Sequence, residues 1–292
     1  MMLEKIIASG AQKNHEQKFS ILIPSWNNID YLKHCLKSIE VNSAYNHQII
    51  IIINEGSDGT YSWLKSQKKY DFVYSPNNIG ICYGLNACRA LVTTDYILYL
   101  NDDMYVLPNW DKALLDEINE IGHKEFMLSA TMIEPHYTNN KSVIVADYGD
   151  DLESFQEEKL LKKFMTFEKK DWSGSTWPPN VLHVDLWDLV GGMSVEFSPG
   201  MYSDPDFSMK LWKSGVRLFK GVANSRVYHF GSKSTGRVKK NKGKETFINK
   251  WGVNPSTFTN KYLKRGEDYD GPLEDYFPSS SDKLKVKFKK LF

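Results

Sequence analysis

Three cysteines, Cys35, Cys82 and Cys88, are all that this chain of 292 residues contains, and they form no CxxC pair. That usage suits a reducing compartment. Charge of one sign is lacking too: Lys+Arg 37 against Asp+Glu 36 leaves a net charge of +1, so no global field draws the chain to nucleic acid. No apolar run approaches the ~20 residues of a membrane span. The stretch from Met1 to Lys18 lacks the apolar core of a leader peptide, and a cytoplasmic location is expected. No internal repeat is present. What is present is a globular composition, 41% hydrophobic and 25% charged, long enough for one large or two ordinary domains. Aromatic residues make up 13%, which suits stacking on sugars or bases and equally an ordinary core.

The first half alternates short apolar runs with helical patterns. Strands are expected at Phe19 to Pro24, Gln48 to Ile53, Asp71 to Ser75, from Tyr96 onward, and at Phe126 to Ile133. Between them, Asp30 can cap a helix whose Leu32, Cys35, Leu36 and Ile39 share one face. Asp58 to Lys68 reads as a short helix, Asn78 or its neighbour caps another running to about Leu91, and Pro108 can open one that ends near Gly122. Repeated βα units of this length predict an α/β fold with a mostly parallel sheet and helices on both faces. The second half is less regular. Glu134 to Asn180 is rich in charge, aromatics and turn residues around Trp172-Ser173-Gly174-Ser175-Thr176-Trp177-Pro178-Pro179, a composition for a substrate-facing loop or for a decorative insertion. A helix is expected at Asp204 to Ser214, strands at Val216 to Phe219 and Ser225 to Phe230, and a basic loop from Gly231 to Lys244.

Four strand ends carry chemistry. They are Pro24-Ser25-Trp26-Asn27, the turn from Asn54-Glu55-Gly56-Ser57 to Thr60, Pro76-Asn77-Asn78-Ile79-Gly80, and Asn101-Asp102-Asp103. In an open α/β sheet such ends share one ligand crevice. Glu55 can accept the imide hydrogen of a pyrimidine while Trp26 or the Pro24 backbone packs on its ring. Adjacent acids at Asp102 and Asp103 can hold a divalent cation and through it a diphosphate. A solvated Asp-Asp turn, and an ordinary strand-to-helix turn capped by Ser57 or Asp58, would leave the same local patterns.

The order of these segments resembles the inverting glycosyltransferases of family 2, with their GT-A fold. Pro24 to Asn27, Glu55 to Thr60, Asn78 to Gly80 and Asn101 to Asp103 match four family elements in order. Gly191-Gly192-Met193-Ser194 matches a later Gly-Gly element, Ser203-Asp204-Pro205-Asp206 falls where the family carries an acidic cluster, and His229 matches a late metal-site histidine. The similarity runs from about Phe19 to Gly236. It implies a Rossmann-like sheet that binds a nucleotide diphosphate sugar, with UDP the expected nucleotide, and an in-line attack that inverts the anomeric centre.

Two departures from the pattern assign roles. Asn101 stands at the first position of the metal motif, so the resemblance makes Asp103 and His229 the ligands of Mn²⁺ or Mg²⁺ and leaves Asn101 and Asp102 to the nucleotide, beside Pro24, Ser25, Trp26, Asn27, Glu55, Ser57, Asn78 and Gly80. Ser203 replaces the first acid of its cluster, so Asp204 would act as a solitary general base, kept ionised by the helix N-terminus and the lack of a close like charge. Asp206 would then be structural. Trp177, Trp187, Gly191 and Gly192 are candidates for contacts to donor or acceptor sugar, although both tryptophans could be core. Lys233 and Arg237 could clamp the diphosphate or belong to a solvated loop. The implied organisation is an extension at 1–18, a GT-A domain at 19–243 (nucleotide-sugar half 19–133, acceptor half 134–243), and a helical extension with a basic amphipathic tail at 244–292. The acceptor would be a glycan or a lipid-linked molecule, and the tail from Lys283 to Phe292 suits an anionic membrane surface, a strand or a solvated end. A silent sugar-nucleotide or glycan-binding module is the second reading. A sugar nucleotidyltransferase is the third, but the Gly-rich basic loop it needs after the first strand is missing.

Overall fold

The computed structural model of the chain describes residues 6–10, 16–231, 237, 241–282 and 286. Among them, eleven strands form one sheet. In chain order these are β1 (Ile7–Ser9), β2 (Ser20–Trp26), β3 (Gln48–Asn54), β4 (Asp71–Ser75), β5 (Tyr96–Tyr99), β6 (Met104–Val106), β7 (Phe126–Glu134), β8 (Ile144–Val145), β9 (Trp172–Ser173), β10 (Asn180–His183) and β11 (Leu218–His229). The main order is β1-β4-β3-β2-β5-β10-β7-β11-β6. Strands β4, β3, β2 and β5 pair in parallel, as do β7 and β11. The short β10 pairs antiparallel with both β5 and β7, so those two run the same way. The sheet is therefore mostly parallel, with reversed strands at its edges and at β10.

The helices that flank it are α1 (Ile29–Asn42), α2 (Thr60–Ser66), α3 (Ile81–Cys88), α4 (Trp110–Ile121), α5 (Glu157–Lys163), α6 (Val184–Val190), α7 (Ser203–Lys213) and α8 (Gly243–Trp251). Alternation along the strands assigns each face. Ile51 and Ile53 pack with Leu32, Cys35, Leu36, Leu64 and Leu114 from α1, α2 and α4. Ile50 and Ile52 pack with Cys82, Leu85, Trp187, Phe207 and Phe247 from α3, α6, α7 and α8. Each such buried isoleucine contributes about 1.5–3 kcal/mol over an exposed one. Gly84 lets α3 lie close on the sheet, since a Cβ there would stand 2.6 Å from a methyl of Ile52.

Several elements differ from the sequence expectation. The first-turn acid Asp30 does not cap α1; Asn28 occupies the N-cap position, and Asp58 Oδ2 accepts the Ile29 N–H at 2.8 Å from across the loop. Val216 to Phe230 holds one long strand instead of two, because the interval from Val222 to Arg226 bulges rather than turning. The segment from Glu134 to Asn180 is only partly a surface loop. Trp172 is buried, and the Arg226 guanidinium donates to the Phe164 and Phe167 carbonyls, which anchors the end of α5 to β11. Beyond α8, Phe258, Tyr262, Leu263 and Leu273 join the core on the α7 side. Among the described residues no helix is long and apolar enough to cross a membrane. The tail from Lys283 to Phe292, except Val286, lies outside the described residues.

Candidate active site

A cleft of about 790 Å³ opens at the carboxyl ends of β2 to β5 and reaches across to the start of α7. Its floor is made by strand register. After β5 the chain turns through Asn101-Asp102-Asp103 and returns as β6, which pairs antiparallel with β11 so that Met104 faces His229. The Phe230 N–H donates to the Asp103 carbonyl at 3.2 Å. On its other side β11 pairs with β7, with Tyr228 opposite Ile133, which carries Glu134 alongside His229. Three strands thus bring Asp103, His229 and Glu134 together. His229 Nε2 stands 3.6 Å from Asp103 Oδ1, and its Nδ1 lies 2.9 Å from Glu134 Oε1.

The electrostatics follow from that crowding. Burial alone would lower the pKa of His229, but the hydrogen bonds and charges of Asp103 and Glu134 outweigh it and raise the imidazole to about 9. Asp102 is 4% exposed, and burial followed by the charge of Asp103 lifts it well above the usual carboxylate range. Ser25, Asn28 and Arg237 offset part of that rise. Asp102 Oδ2 makes no hydrogen bond of normal geometry among the described residues.

Asp204 reaches the cleft from the first turn of α7. The turn before it is built by Tyr202 at φ 69 and by Ser203, whose hydroxyl donates to the Gly200 carbonyl at 2.6 Å. The Gly200 segment is itself docked on the start of α3: the Ile81 N–H donates to the Pro199 carbonyl at 3.0 Å. Gly80 makes this approach possible, because at φ 78 a Cβ would fall 2.7 Å from Pro199 Cα. Contrary to the expectation that α7 keeps Asp204 readily ionised, burial raises its carboxyl to about 7. No charged neighbour contributes to that rise, which comes from the half-buried setting of the carboxyl and outweighs the helix N-terminus. Asp206 is structural, accepting from the Trp251 indole at 2.7 Å and pairing with Lys250.

The nucleotide candidates divide into a lining and a backing. Pro24, Ser25, Trp26, Asn78, Gly80, Asn101 and Asp102 line the cleft. Asn27, Glu55 and Ser57 support it from the rim. Asn27 Oδ1 accepts the Ser57 N–H at 2.8 Å, and the Glu55 carboxylate accepts the Trp26 indole N–H at 2.8 Å. That bond, with help from Ser57, holds the Glu55 pKa below its ordinary value. The turn is also capped, since Asp58 Oδ1 accepts the Thr60 N–H at 3.1 Å. Arg237 lies on the Trp26 ring at 4.8 Å and donates to the Trp26 carbonyl at 2.7 Å. Lys233 falls outside the described residues.

Of the sugar-contact candidates only Trp177 lines the cleft. Trp187 is 4% exposed and packs against Phe207 in the core. Gly191 ends α6 in the left-handed conformation, and Gly192 lies against Asn86 and Trp187, where a Cβ would meet the Asn86 amide at 2.4 Å. None of these three lines the cleft. Sequence reasoning missed Glu134, although an acid closing a buried strand is the signal that exposed Asp102 and Asp103. It also missed Arg265, which reaches the cleft from the C-terminal segment and stacks on Trp177 at 3.8 Å.

The sequence matches the glycosyl transferase family 2 pattern over residues 20–178, more than half of its length. The chain belongs to glycosyl transferase family 2. Among solved structures it is similar to S. aureus TarS 1–349 in complex with UDP, at 14% identity and a TM-score of 0.52 over 73% of this chain and 60% of that one. The complex of the same protein with UDP-GlcNAc aligns at 14% identity and a TM-score of 0.53, over 74% and 61%. GalNAc-T7 with UDP, GalNAc and Mn²⁺ aligns at 14% identity and a TM-score of 0.56, over 82% and 49%. The chain thus spans about 60% of the first of these relatives, and such identities speak for the GT-A fold alone. The sequence matches none of the curated proteins.

In this family 2 domain the donor set fits a divalent cation. Asp103 and His229 are adjacent and buried, Asp102 offers an unsatisfied carboxylate oxygen beside them, and Glu134 orients the imidazole through its far nitrogen. No group of three or more His, Cys, Asp and Glu arranged for a metal occurs among the described residues.

Proposed function

We propose that this domain transfers a sugar from a UDP-sugar to a hydroxyl of a glycan or lipid-linked acceptor, inverting the anomeric centre. One observation carries the reading: a buried Asp103–His229 pair and a solitary, proton-accepting Asp204 face one cleft whose rim bears Trp26 and Glu55. The relatives in complex with UDP, UDP-GlcNAc and Mn²⁺ support the choice of donor and ion.

Each residue has a defined task. Trp26 offers its ring to the base while Glu55, fixed by the indole N–H, keeps a free lone pair for the imide. Asp103 and His229 would hold Mn²⁺ or Mg²⁺, which when bound supplies Lewis-acid stabilisation of the leaving diphosphate. Asp204 takes the proton of the acceptor hydroxyl, and a pKa of about 7 is suited to that exchange at neutral pH. A single in-line displacement needs this one base and no carboxylate nucleophile. The reading includes action in the cytoplasm, with the basic amphipathic sequence from Lys283 to Phe292 as the contact to a membrane that bears the acceptor.

A donor screen read by UDP release, with and without Mn²⁺, tests it. Release that needs the ion and is lost in Asp204→Asn supports transfer. Ion-dependent UDP binding with no turnover on any donor or acceptor would reduce the domain to a binding module. Pyrophosphate from UTP and a sugar phosphate would make it a nucleotidyltransferase.

A further inference from the structure

Of the five arginines in the chain, four have acceptors. Arg89 pairs with Asp188, Arg217 with Asp275, Arg226 with backbone carbonyls, and Arg237 with the Trp26 carbonyl. Arg265 has neither an acid nor a side-chain hydrogen bond among the described residues, yet it lines the cleft. Arg265 is half-buried, and a guanidinium drawn partly out of water with no acid beside it is a ready partner for an anionic ligand.

Its position is built. The Arg265 N–H donates to the Thr259 carbonyl at 3.0 Å, and the next residue, Gly266, donates to Ser173 at 2.9 Å. Ser173 returns a bond to the Glu267 carbonyl at 2.8 Å. Gly174 admits the segment, since a Cβ there would sit 2.6 Å from Arg265 Cα. One face of the guanidinium is covered by the Trp177 indole at 3.8 Å, which leaves its edge as the place for a ligand.

We propose that Arg265, laid on Trp177, is a subsite for a phosphate or carboxylate carried by the acceptor, a role that rests on the transferase reading above. The donor diphosphate is a poorer match for this arginine. Arg265 is anchored through Thr259 and Ser173 on the Trp177 side of the cleft, whereas Arg237 lies on Trp26 and donates to its carbonyl at the nucleotide wall. A fork of N–H donors suits either oxyanion, and a neutral hydroxyl would leave the charge uncompensated.

Calorimetric titration of the full chain with UDP and Mn²⁺ present tests this, using glucose 6-phosphate, methyl glucuronide and neutral methyl glucoside as probes. The expected result is that one or both anionic sugars bind about 10- to 100-fold more tightly than the glucoside. Arg265→Gln should erase that preference, and Arg265→Lys should restore part of it, while UDP affinity and the melting temperature stay unchanged. Preference for one probe tells phosphate from carboxylate. Equal affinity for all three sugars overturns the proposal, as does a preference that survives in Arg265→Gln. Failure of UDP to bind in the same cell would sink the transferase reading separately, because the ranking of the three sugars is read independently of it.

Discussion

Asp102 and Asp103 on the donor wall are buried as a pair and tied through β6 to His229, whereas Asp204 on the opposite wall stands half-buried and alone at the start of α7. Both walls raise a carboxylate above its ordinary pKa, but for different reasons. On the donor wall burial is compounded by a neighbouring negative charge, and a divalent cation relieves both at once. On the acceptor wall burial acts by itself, and only a proton relieves it. On the proposed transferase reading, one wall receives a cation and the other a proton, the two electrostatic demands of moving a sugar from a diphosphate to a hydroxyl.

The sharpest way to break this contrast is to remove the solitary acid. Asp204→Asn should lower the rate of sugar transfer about 10²- to 10⁴-fold, with UDP affinity unchanged by calorimetry. In the wild type, kcat/KM should rise with pH through an apparent pKa near 7, the value at which Asp204 loses its proton. Stability should run the other way. A carboxyl whose folded pKa is raised favours folding when protonated, so its contribution is greatest below pH 4 and is lost as pH rises through 7. Asp204→Asn should therefore be more stable than the wild type at pH 8, by on the order of 2 kcal/mol, and equal to it near pH 4. Denaturant melts at the two pH values check this, and a variant that loses activity without that stability signature would mean that Asp204 is ionised at little cost.

The tryptophans separate core from cleft. Trp187→Ala should cost about 3–5 kcal/mol of stability because the indole fills the space between α6 and Phe207. Trp177→Ala should leave the melting curve nearly in place and raise the acceptor KM instead. The reverse pattern in melts and kinetics would move the sugar platform to the other side of α6.

The cleft lining at the carboxyl ends of β2 to β5 was legible in the sequence because it is local. Pro24 to Asn27, Glu55 to Ser57, Asn78 to Gly80 and Asn101 to Asp103 each follow a β-branched or aromatic strand, and parallel pairing alone carries them to one edge. The rest of the site depends on distant pairings. Glu134 meets His229 through the register of β7 with β11, and Arg265 meets Trp177 because residues 266 and 267 bond to Ser173. Neither encounter leaves a mark in spacing. Strands as short as β6 and β10 carry too few residues to show a period, and both run antiparallel to their neighbours, β6 at the sheet edge and β10 within it. The Gly191-Gly192 pair misled for the opposite reason. A local motif was legible, but its structural task is to end α6 and admit Trp187.

Within the donor wall, Glu134 tests whether the imidazole is tuned from behind. Glu134→Gln keeps a partner for His229 Nδ1 while removing the charge, and should weaken Mn²⁺ affinity about 10- to 100-fold, measured by displacement of the ion in the presence of UDP. Affinity equal to the wild type would leave Asp103 as the sole electrostatic partner of His229 that matters.

The smallest effect belongs to the rim. Glu55 is bonded to Trp26 and Ser57, and its pKa is lowered mainly by the first of these. Glu55→Gln offers the Trp26 indole an uncharged acceptor in place of a carboxylate, so the ring should stay in position. What changes is the strength with which the carboxylate accepts the imide hydrogen of the base. One charge-assisted bond becomes a neutral one at an exposed position, which should weaken UDP binding about threefold to tenfold and leave the affinity for Mn²⁺ with pyrophosphate untouched. Titration of both ligands on the same variant separates base recognition from the cation pair. A loss shared equally by UDP and pyrophosphate would show that Glu55 acts through the Asn27 and Ser57 turn on the whole donor wall, and not on the base alone.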